Sequence, residues 1–371
     1  MTRQIGSSAA RAWLEIDLGA IQRNASLLAN RAGVPVLPMV KADAYGLGAV
    51  PVVRALERVA PWGFGVATVD EGVELRDFGV TRPIVVFTPL LADDLDDARE
   101  ANLRPLLSRE AEITAWGVSH PWHLGIDTGM GRAGRRWDDV GPLRDLLATH
   151  VPEGACTHFH SAELDDGSVA IQEDRFSQAV AQLPSRPRVL HVENGAAAAR
   201  RERSQWSVIR PGVFLYGVGS GPTALVSPEA VVGMRARIVD IREVRSGESV
   251  SYDATYRASE TRSIATLPVG YADGVRRALS NRGAAIVRGR RVPVAGIVTM
   301  DMTMVDVTDV PCTIGDMATI IGRDGKEEIT IEDLAQAGDL SPYEVLTGLR
   351  QRLERRYFGL PDGLDSGMGA S

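Results

Sequence analysis

"VLPMVKADAYGLG", residues 36–48, starts as a β-rich apolar run and breaks at Lys41 into small residues and glycine turns. A short strand that ends on a polar group and hands over to the amphipathic segment "AVPVVRALERVA" (49–60) is the βα unit of a parallel sheet. The handover recurs. Further apolar runs stand at "GFGVA" (63–67), "IVVF" (84–87), "LRPLL" (103–107), "WHLGI" (122–126), "ACTHF" (155–159), "VLHVE" (189–193) and "SVIRPG" (207–212). Helix-like stretches such as "LADDLDDAREAN" (91–102), "VGPLRDLLATH" (140–150) and "EDRFSQAVAQL" (173–183) lie between them. With 36–40 the runs number eight, the count that closes a (β/α)8 TIM barrel. A doubly wound sheet needs fewer strands and a Gly-x-Gly-x-x-Gly turn directly after one of them. "GVGSGPT" (217–223) comes late and runs into a proline, so it reads as a turn.

Beyond about residue 240 the texture changes to β-branched segments with arginine and glycine turns: "MRARIVDIREV", "SVSYDATYRA", "SIATLPVGYADG" and "DMATIIGRDGKEEITI". The Asp-Gly pair of "GRDGKE" suits a tight hairpin turn. The expected architecture is therefore α/β: a barrel over 12–240, then a mainly β domain over 241–371. That domain is expected to end in an amphipathic helix, "YEVLTGLRQRLERRYF" (343–358), and a disordered tail.

The bulk numbers restrict the function. Of 371 residues, 44% are apolar, ample for a large core. The net charge of −7 is spread without any basic block, which argues against nucleic acid and anionic membrane as partners. No apolar leader or spanning stretch is read, giving a cytoplasmic expectation. Cys156 and Cys312 lie far apart, with no spacing for a disulfide framework or a metal site.

Catalytic groups of a barrel gather at the C-terminal ends of its strands. Lys41 follows the first run with Tyr45 just beyond, and Asp127 and Arg132 follow the fifth. His158 and His160 close the sixth, Asn194 follows the seventh, and Arg210 lies on the eighth. Lys41 and Lys326 are the only lysines, against 39 arginines. Burial lowers the pKa of an amine and frees its lone pair for attack on a carbonyl, whereas a guanidinium stays protonated. A snorkelling surface lysine is the competing reading. A Schiff-base lysine in a barrel admits an aldolase or a pyridoxal phosphate enzyme. Two loops bear on the choice. "ENGAAAA" (193–199) runs from Gly195 into a helix start, and "RPGVF" (210–214) offers the Gly212 and Val213 amides where this fold usually cradles phosphate.

Ten segments now resemble the alanine racemase family, in family order over nearly the whole chain: "WLEIDLGAIQRN", "MVKADAYGLG", "DTGMGRAG", "THFHSAE", "HVENGAAA", "RPGVFLYG", "VSYDATYRA", "LPVGYADG", "GIVTMDMTMVDV" and "YEVLTGL". The resemblance implies an isomerase that binds pyridoxal 5′-phosphate and interconverts L- and D-alanine. It also implies a head-to-tail homodimer with shared sites, and an N-terminal strand (12–18) associated with the β domain. Lys41 then carries the cofactor and serves as the base for the D isomer, while Tyr252 of the other subunit serves the L isomer. His158 and Arg210 form a chain towards that tyrosine, and Arg210 faces the pyridine nitrogen. Tyr45, Asn194, Gly195, Gly212 and Val213 complete the cofactor site. Arg132 lies near the phenolic oxygen of the cofactor and the substrate carboxylate, and Met300 and Asp301 meet the substrate from the partner; His160 carries over no role.

Three positions depart from the family pattern. Gly125 stands where many members have a lysine that positions the arginine here numbered 132. Gly195 replaces a common serine, and Gln351 a tyrosine often found near the phosphate. These changes bear on substrate breadth, so a serine or broad-specificity racemase stays in view, beside a non-catalytic cofactor-binding protein. A basic amino-acid decarboxylase on the same barrel fits less well, because Cys312 lies outside any partner segment of that kind.

Overall fold

A computed structural model describes residues 10–360. The tail beyond, read as disordered, lies outside the described residues. The chain divides into two compact units, one of residues 20–44 and 48–229, the other of 10–19, 45–47 and 230–360.

In the first unit six parallel strands pair in chain order: Phe64–Val66, Ile84–Val86, Arg104–Leu107, His123–Asp127, Gly154–Cys156 and Val189–His191. The other two runs read as strands, 36–40 and 207–212, are joined by single bridges instead of ladders: Met39 to Gly65, Val36 to Ile209, and Asn194 to Arg210. Pro35, Pro38 and Pro211 explain the difference. Each lacks the N–H that a regular ladder needs. The remaining groups still close the ring, with Leu37 N donating to Ile209 O at 2.7 Å, Val40 N to Gly65 O at 2.8 Å and Gly65 N to Pro38 O at 2.8 Å. Leu37, Val85, Val189 and Val208 pack together as one of its apolar clusters.

The helices follow local signals. Val69–Asp77 starts at Thr68, whose hydroxyl accepts from Glu71 N, while the Glu71 carboxylate reaches back to the loop amides in a capping box. Ala49–Glu57 buries Val52, Val53, Ala55 and Leu56. Ser168–Ala181 begins earlier than its apolar period indicated.

The second unit is mainly β. Its large sheet runs Arg290–Pro293, Ala284–Val287, Met317–Asp324, Val232–Arg237, Ala12–Asp17, Glu354–Phe358. Along Val232–Arg237 buried and half-buried residues alternate strictly, as one covered face requires. A smaller sheet orders Asp240–Val244, Arg262–Leu267 and Thr303–Asp306. In the hairpin of Met317–Asp324 and Glu327–Ile329, Asp324 pairs with Glu327, so the central residues are Gly325 and Lys326, one step beyond the expected Asp-Gly pair. Gly325 has φ 63°, the left-handed value that favours glycine at the first central position.

The expected terminal helix is corrected. Only Pro342–Thr347 is helical, capped by the Ser341 hydroxyl, and Glu354–Phe358 is a strand parallel to Ala12–Asp17. "LRQRLERR" has helical periodicity, but Gly348 ends the helix and Ala12–Asp17 offers an open edge to pair with. Glu354, Arg355 and Arg356 give the new edge the charge that protects edges from further pairing. Two of these residues also hold the 45–47 segment: Arg355 Nη2 donates to Gly46 O at 2.7 Å and Tyr357 Oη to Leu47 O at 2.9 Å. No helix among the described residues is long and apolar enough to cross a membrane.

Candidate active site

Lys41 leaves the barrel at the end of the 36–40 run, and the chain then does something unusual for L-residues. Ala42, Asp43, Ala44 and Tyr45 have φ of 53°, 53°, 52° and 57°, so Lys41–Gly46 contains a left-handed turn. Such geometry costs roughly 1–2 kcal/mol per residue and persists only where the surroundings over-determine it. Here they do. Ala42 N donates to Glu71 Oε1 at 2.7 Å, Ala44 N to Val40 O at 2.9 Å, Gly48 N to Asp43 O at 2.9 Å, and Ala49 N to Asp43 Oδ1 at 2.7 Å. Gly46 and Gly48, at φ 87° and 98°, release the chain into the next helix. The Lys41 amine is half-buried. Burial first, then the Arg132 guanidinium, push its pKa below the ordinary lysine value, and Glu71 opposes them.

Arg210 is 3% exposed and anchored by carbonyls: Nη2 donates to Thr157 O at 2.6 Å and Val192 O at 3.2 Å, and Nη1 to His191 O. Its Nη2 lies 3.5 Å from His158 Nδ1, and its Nη1 3.3 Å from His191 Nδ1. An arginine cannot accept, so Nδ1 of His191 must be the acceptor and Nε2 carries the proton. That proton points at His123 Nδ1, 2.7 Å away, which leaves His123 Nε2–H facing Glu153 Oε2 at 3.6 Å. Two neutral imidazoles therefore extend a polarised line of hydrogen bonds from Arg210 towards Glu153, which lies just beyond hydrogen-bond distance of the last ring. Facing His123 and bonded by Arg104, Glu153 has its carboxyl held down at about 2.

His158 is held at about 3 by burial, then by the charges of Arg210, Arg132 and Lys41. Burial likewise lowers His123 and His191. The sign follows from linkage. An unfolded histidine takes up a proton near pH 6.5 and the folded one does not, so stability falls as pH drops from about 6.5 towards the folded value. The urea midpoint of His158→Gln should therefore depend less steeply on pH than the wild type's between about pH 6.5 and 4. Identical slopes would remove His158 from this explanation.

An open cavity of about 620 Å³ brings together Phe87, Gly125, Asp127, Arg132, His158 and Arg210. Asp127 Oδ1 accepts from Gly129 N at 2.9 Å and Gly131 N at 3.1 Å, which shapes the loop carrying Arg132. Among the described residues Arg132 forms no ion pair. A Cβ on Gly125 would meet nothing nearer than 3.5 Å, so the glycine is not a steric necessity and its effect is to leave room. At the far loops Asn194 caps Gly195–Ala199 by accepting from Ala197 N at 3.0 Å. A Cβ on Gly195 would press on Phe214 Cβ at 3.3 Å, so this turn and the Pro211–Val213 turn lie against each other. Gly195 and Val213 open helical turns, where an amide has no acceptor within its own turn. Cys156 is buried in the cavity wall, and His160 is exposed and bonded to Ser161.

The remaining named residues belong to the second unit. Tyr45 stands with its ring 6.1 Å from that of Tyr343, and burial pushes its hydroxyl pKa well up. Tyr252 is 68% exposed on a short turn between Ser249–Val250 and Tyr256–Arg257, with Ser251 at φ 67° and Asp253 at φ 58°. Ser251 Oγ fixes that turn by donating to Ile297 O at 2.7 Å. Met300 is exposed, while Asp301 accepts from Arg352 at 2.6 Å, and Arg352 is bonded in turn to buried Asp273 at 2.6 Å. Gly270 lets its backbone come against the Thr299 and Met300 carbonyls where a Cβ would collide. Sequence reasoning missed Glu71, His123 and His191. The first was legible as the Thr68-x-x-Glu71 box, and the other two as histidines inside apolar strands.

The barrel, the half-buried amine and the guanidinium acting on it define a class: an α/β-barrel protein with a strand-end lysine less basic than usual, followed by a β unit. Comparison narrows this. Residues 16–220 match the family model described as alanine racemase, N-terminal domain, and residues 231–357 the model described as alanine racemase, C-terminal domain. The alanine racemase of Halothermothrix orenii is 36% identical over 365 residues, 93% of this chain and 96% of that one. Alanine racemase from E. faecalis superposes with TM-score 0.88 at 29% identity, covering 96% of this chain and 100% of that one. The enzyme from Bartonella henselae, with covalently bound pyridoxal phosphate, gives 0.86 at 27% identity, covering 94% and 100%. The chain belongs to the alanine racemase family.

Proposed function

We propose that this chain racemises alanine with pyridoxal 5′-phosphate, using Lys41 and, from a second copy of the chain, Tyr252 as opposed bases. The observation that carries the reading is Lys41 itself: one of two lysines, set on a left-handed turn, less basic than an ordinary lysine, beside Arg132 and His158. The donor set fits the cofactor. Lys41 would hold its aldehyde, the Gly195, Gly212 and Val213 amides with Tyr45 and Asn194 its phosphate end, and Arg210 and His158 its ring. Pyridoxal 5′-phosphate supplies an aldehyde that takes up amines and a ring that spreads the electron pair left on an α carbon. Arg210 keeps its charge, with its N–H groups bonded to carbonyls, and so would leave the ring nitrogen unprotonated. Arg132, which forms no ion pair among the described residues, is available to a substrate carboxylate, and Met300 and Asp301 of the second copy close over a small side chain. The reading includes a homodimer, since each site then needs two chains.

Purified protein given D-alanine should return L-alanine in a coupled assay, with loss of the yellow colour and of activity together after hydroxylamine. Serine belongs in the same panel, because Gly125 lines the cavity beside Arg132 and a Cβ there would meet nothing nearer than 3.5 Å. Yellow protein without turnover on any amino acid would overturn the catalytic reading in favour of a cofactor-binding protein.

A further inference from the structure

Among the described residues, Glu71 is the one acidic side chain bonded to the turn that presents Lys41 from outside that turn. Its two carboxylate oxygens divide their work. Oε1 accepts from Ala42 N at 2.7 Å, the first amide after Lys41; Oε2 accepts from Ala67 N at 2.7 Å and Thr68 N at 3.4 Å, in the loop leaving Phe64–Val66. A single carboxylate thus ties the end of one barrel segment to the end of its neighbour, and its acceptors are the short, charge-assisted kind. A capping glutamate ordinarily serves its own helix. Here one oxygen is spent outside the helix, on the residue next to the amine.

We infer that Glu71 is a positioning residue for Lys41: it clamps the left-handed turn that aims the side chain, and its bond to the amide of the next residue keeps a carboxylate near the amine. Ala42 N sits where the chain reverses hand, so losing its acceptor would free the turn at the point that sets the direction of the Lys41 side chain. The charged and titratable groups around the amine are Arg132 and His158 on one side of the account and Glu71 on the other. Arg132 disfavours the ammonium, and Glu71 is the anion that opposes it. The inference rests on Lys41 being the reacting amine, but it can be read without turnover.

The chain's two lysines make the experiment clean. Full-length protein, stripped of carbonyl cofactor with hydroxylamine, is acetylated in trace amounts across a pH series, and the Lys41 and Lys326 peptides are quantified by mass spectrometry, Lys326 being the internal standard. In Glu71→Gln the neutral fraction of Lys41 at fixed pH should rise about 3- to 10-fold while Lys326 is unchanged. In the loaded enzyme kcat should fall about 10-fold with KM moved less, and about 100-fold in Glu71→Ala. Thr68→Ala removes the other half of the capping box and leaves the clamp, so it should lower the melting temperature without moving Lys41. If Lys41 titrates alike in wild type and Glu71→Gln, or if Thr68→Ala shifts it equally, the inference fails. Should Glu71→Ala not fold, Glu71→Gln still decides. A shifted Lys41 in a protein that racemises nothing would overturn the proposed function and leave the clamp standing.

Discussion

Lys41→Arg is expected to abolish racemisation in both directions, by more than about 10⁴-fold, although charge and length are nearly kept. The guanidinium cannot shed a proton at any accessible pH, so it has no lone pair for a carbonyl and cannot act as a base. Lysine can, and its surroundings favour that: burial and Arg132 penalise the ammonium in the same place. Lys41→Ala should be equally inactive, which separates the chemistry of the amine from its charge. Borohydride treatment of the loaded wild-type protein should fix the cofactor to the Lys41 peptide and to neither variant. Lys326, on the Gly325–Lys326 hairpin turn, is the built-in control, lying outside the barrel unit altogether. Cofactor recovered on Lys326, or turnover surviving in Lys41→Arg, would remove the foundation of the proposal.

The eight-run count anticipated the barrel because six runs are short and largely apolar and form true ladders. The 36–40 and 207–212 runs were recognisable as barrel members from apolar content, but their prolines turn ladders into single bridges. Periodicity failed at 354–358. Alternating arginine and glutamate suit a solvated helix and a charged edge strand alike, and only the presence of Ala12–Asp17, more than 300 residues away in sequence, decides between them.

The candidate site was legible where residue type alone is rare, as for Lys41 among arginines, and less so where the chemistry lies in backbone geometry. Nothing in "KADAYG" except its small residues announces four consecutive positive φ values, because the state is imposed by Glu71 and by the 48–49 amides. His123 and His191 sat inside runs read as plain strands. Their tautomers are set by Arg210, which has protons to give and none to take, so the line of hydrogen bonds has a single polarity that only the assembled barrel shows.

Tyr252→Phe should lower racemisation by about 10²- to 10⁴-fold, yet the loss must be equal in the two directions. Enantiomers have equal free energy, so the ratio of forward to reverse kcat/KM cannot be changed by a substitution. The asymmetry between two bases appears elsewhere, in hydrogen exchange. In heavy water Tyr252→Phe should still exchange the α-hydrogen of D-alanine through Lys41, while that of L-alanine stays in place. A phenol is a weak base near neutral pH, with a reference pKa of about 10, so the effect depends on the cationic neighbourhood it enters. In its own chain Tyr252 is 68% exposed on a turn held by Ser251, which suits a side chain presented outward to a second copy. Complementation tests that arrangement directly. Lys41→Ala and Tyr252→Phe chains, each strongly impaired alone, should recover about a quarter of wild-type activity after subunit exchange, because half the dimers are mixed and each has one intact site. No recovery, with exchange verified by mass, would place both bases on one chain; exchange of L-alanine as fast as D-alanine would remove Tyr252 as the base for the L face.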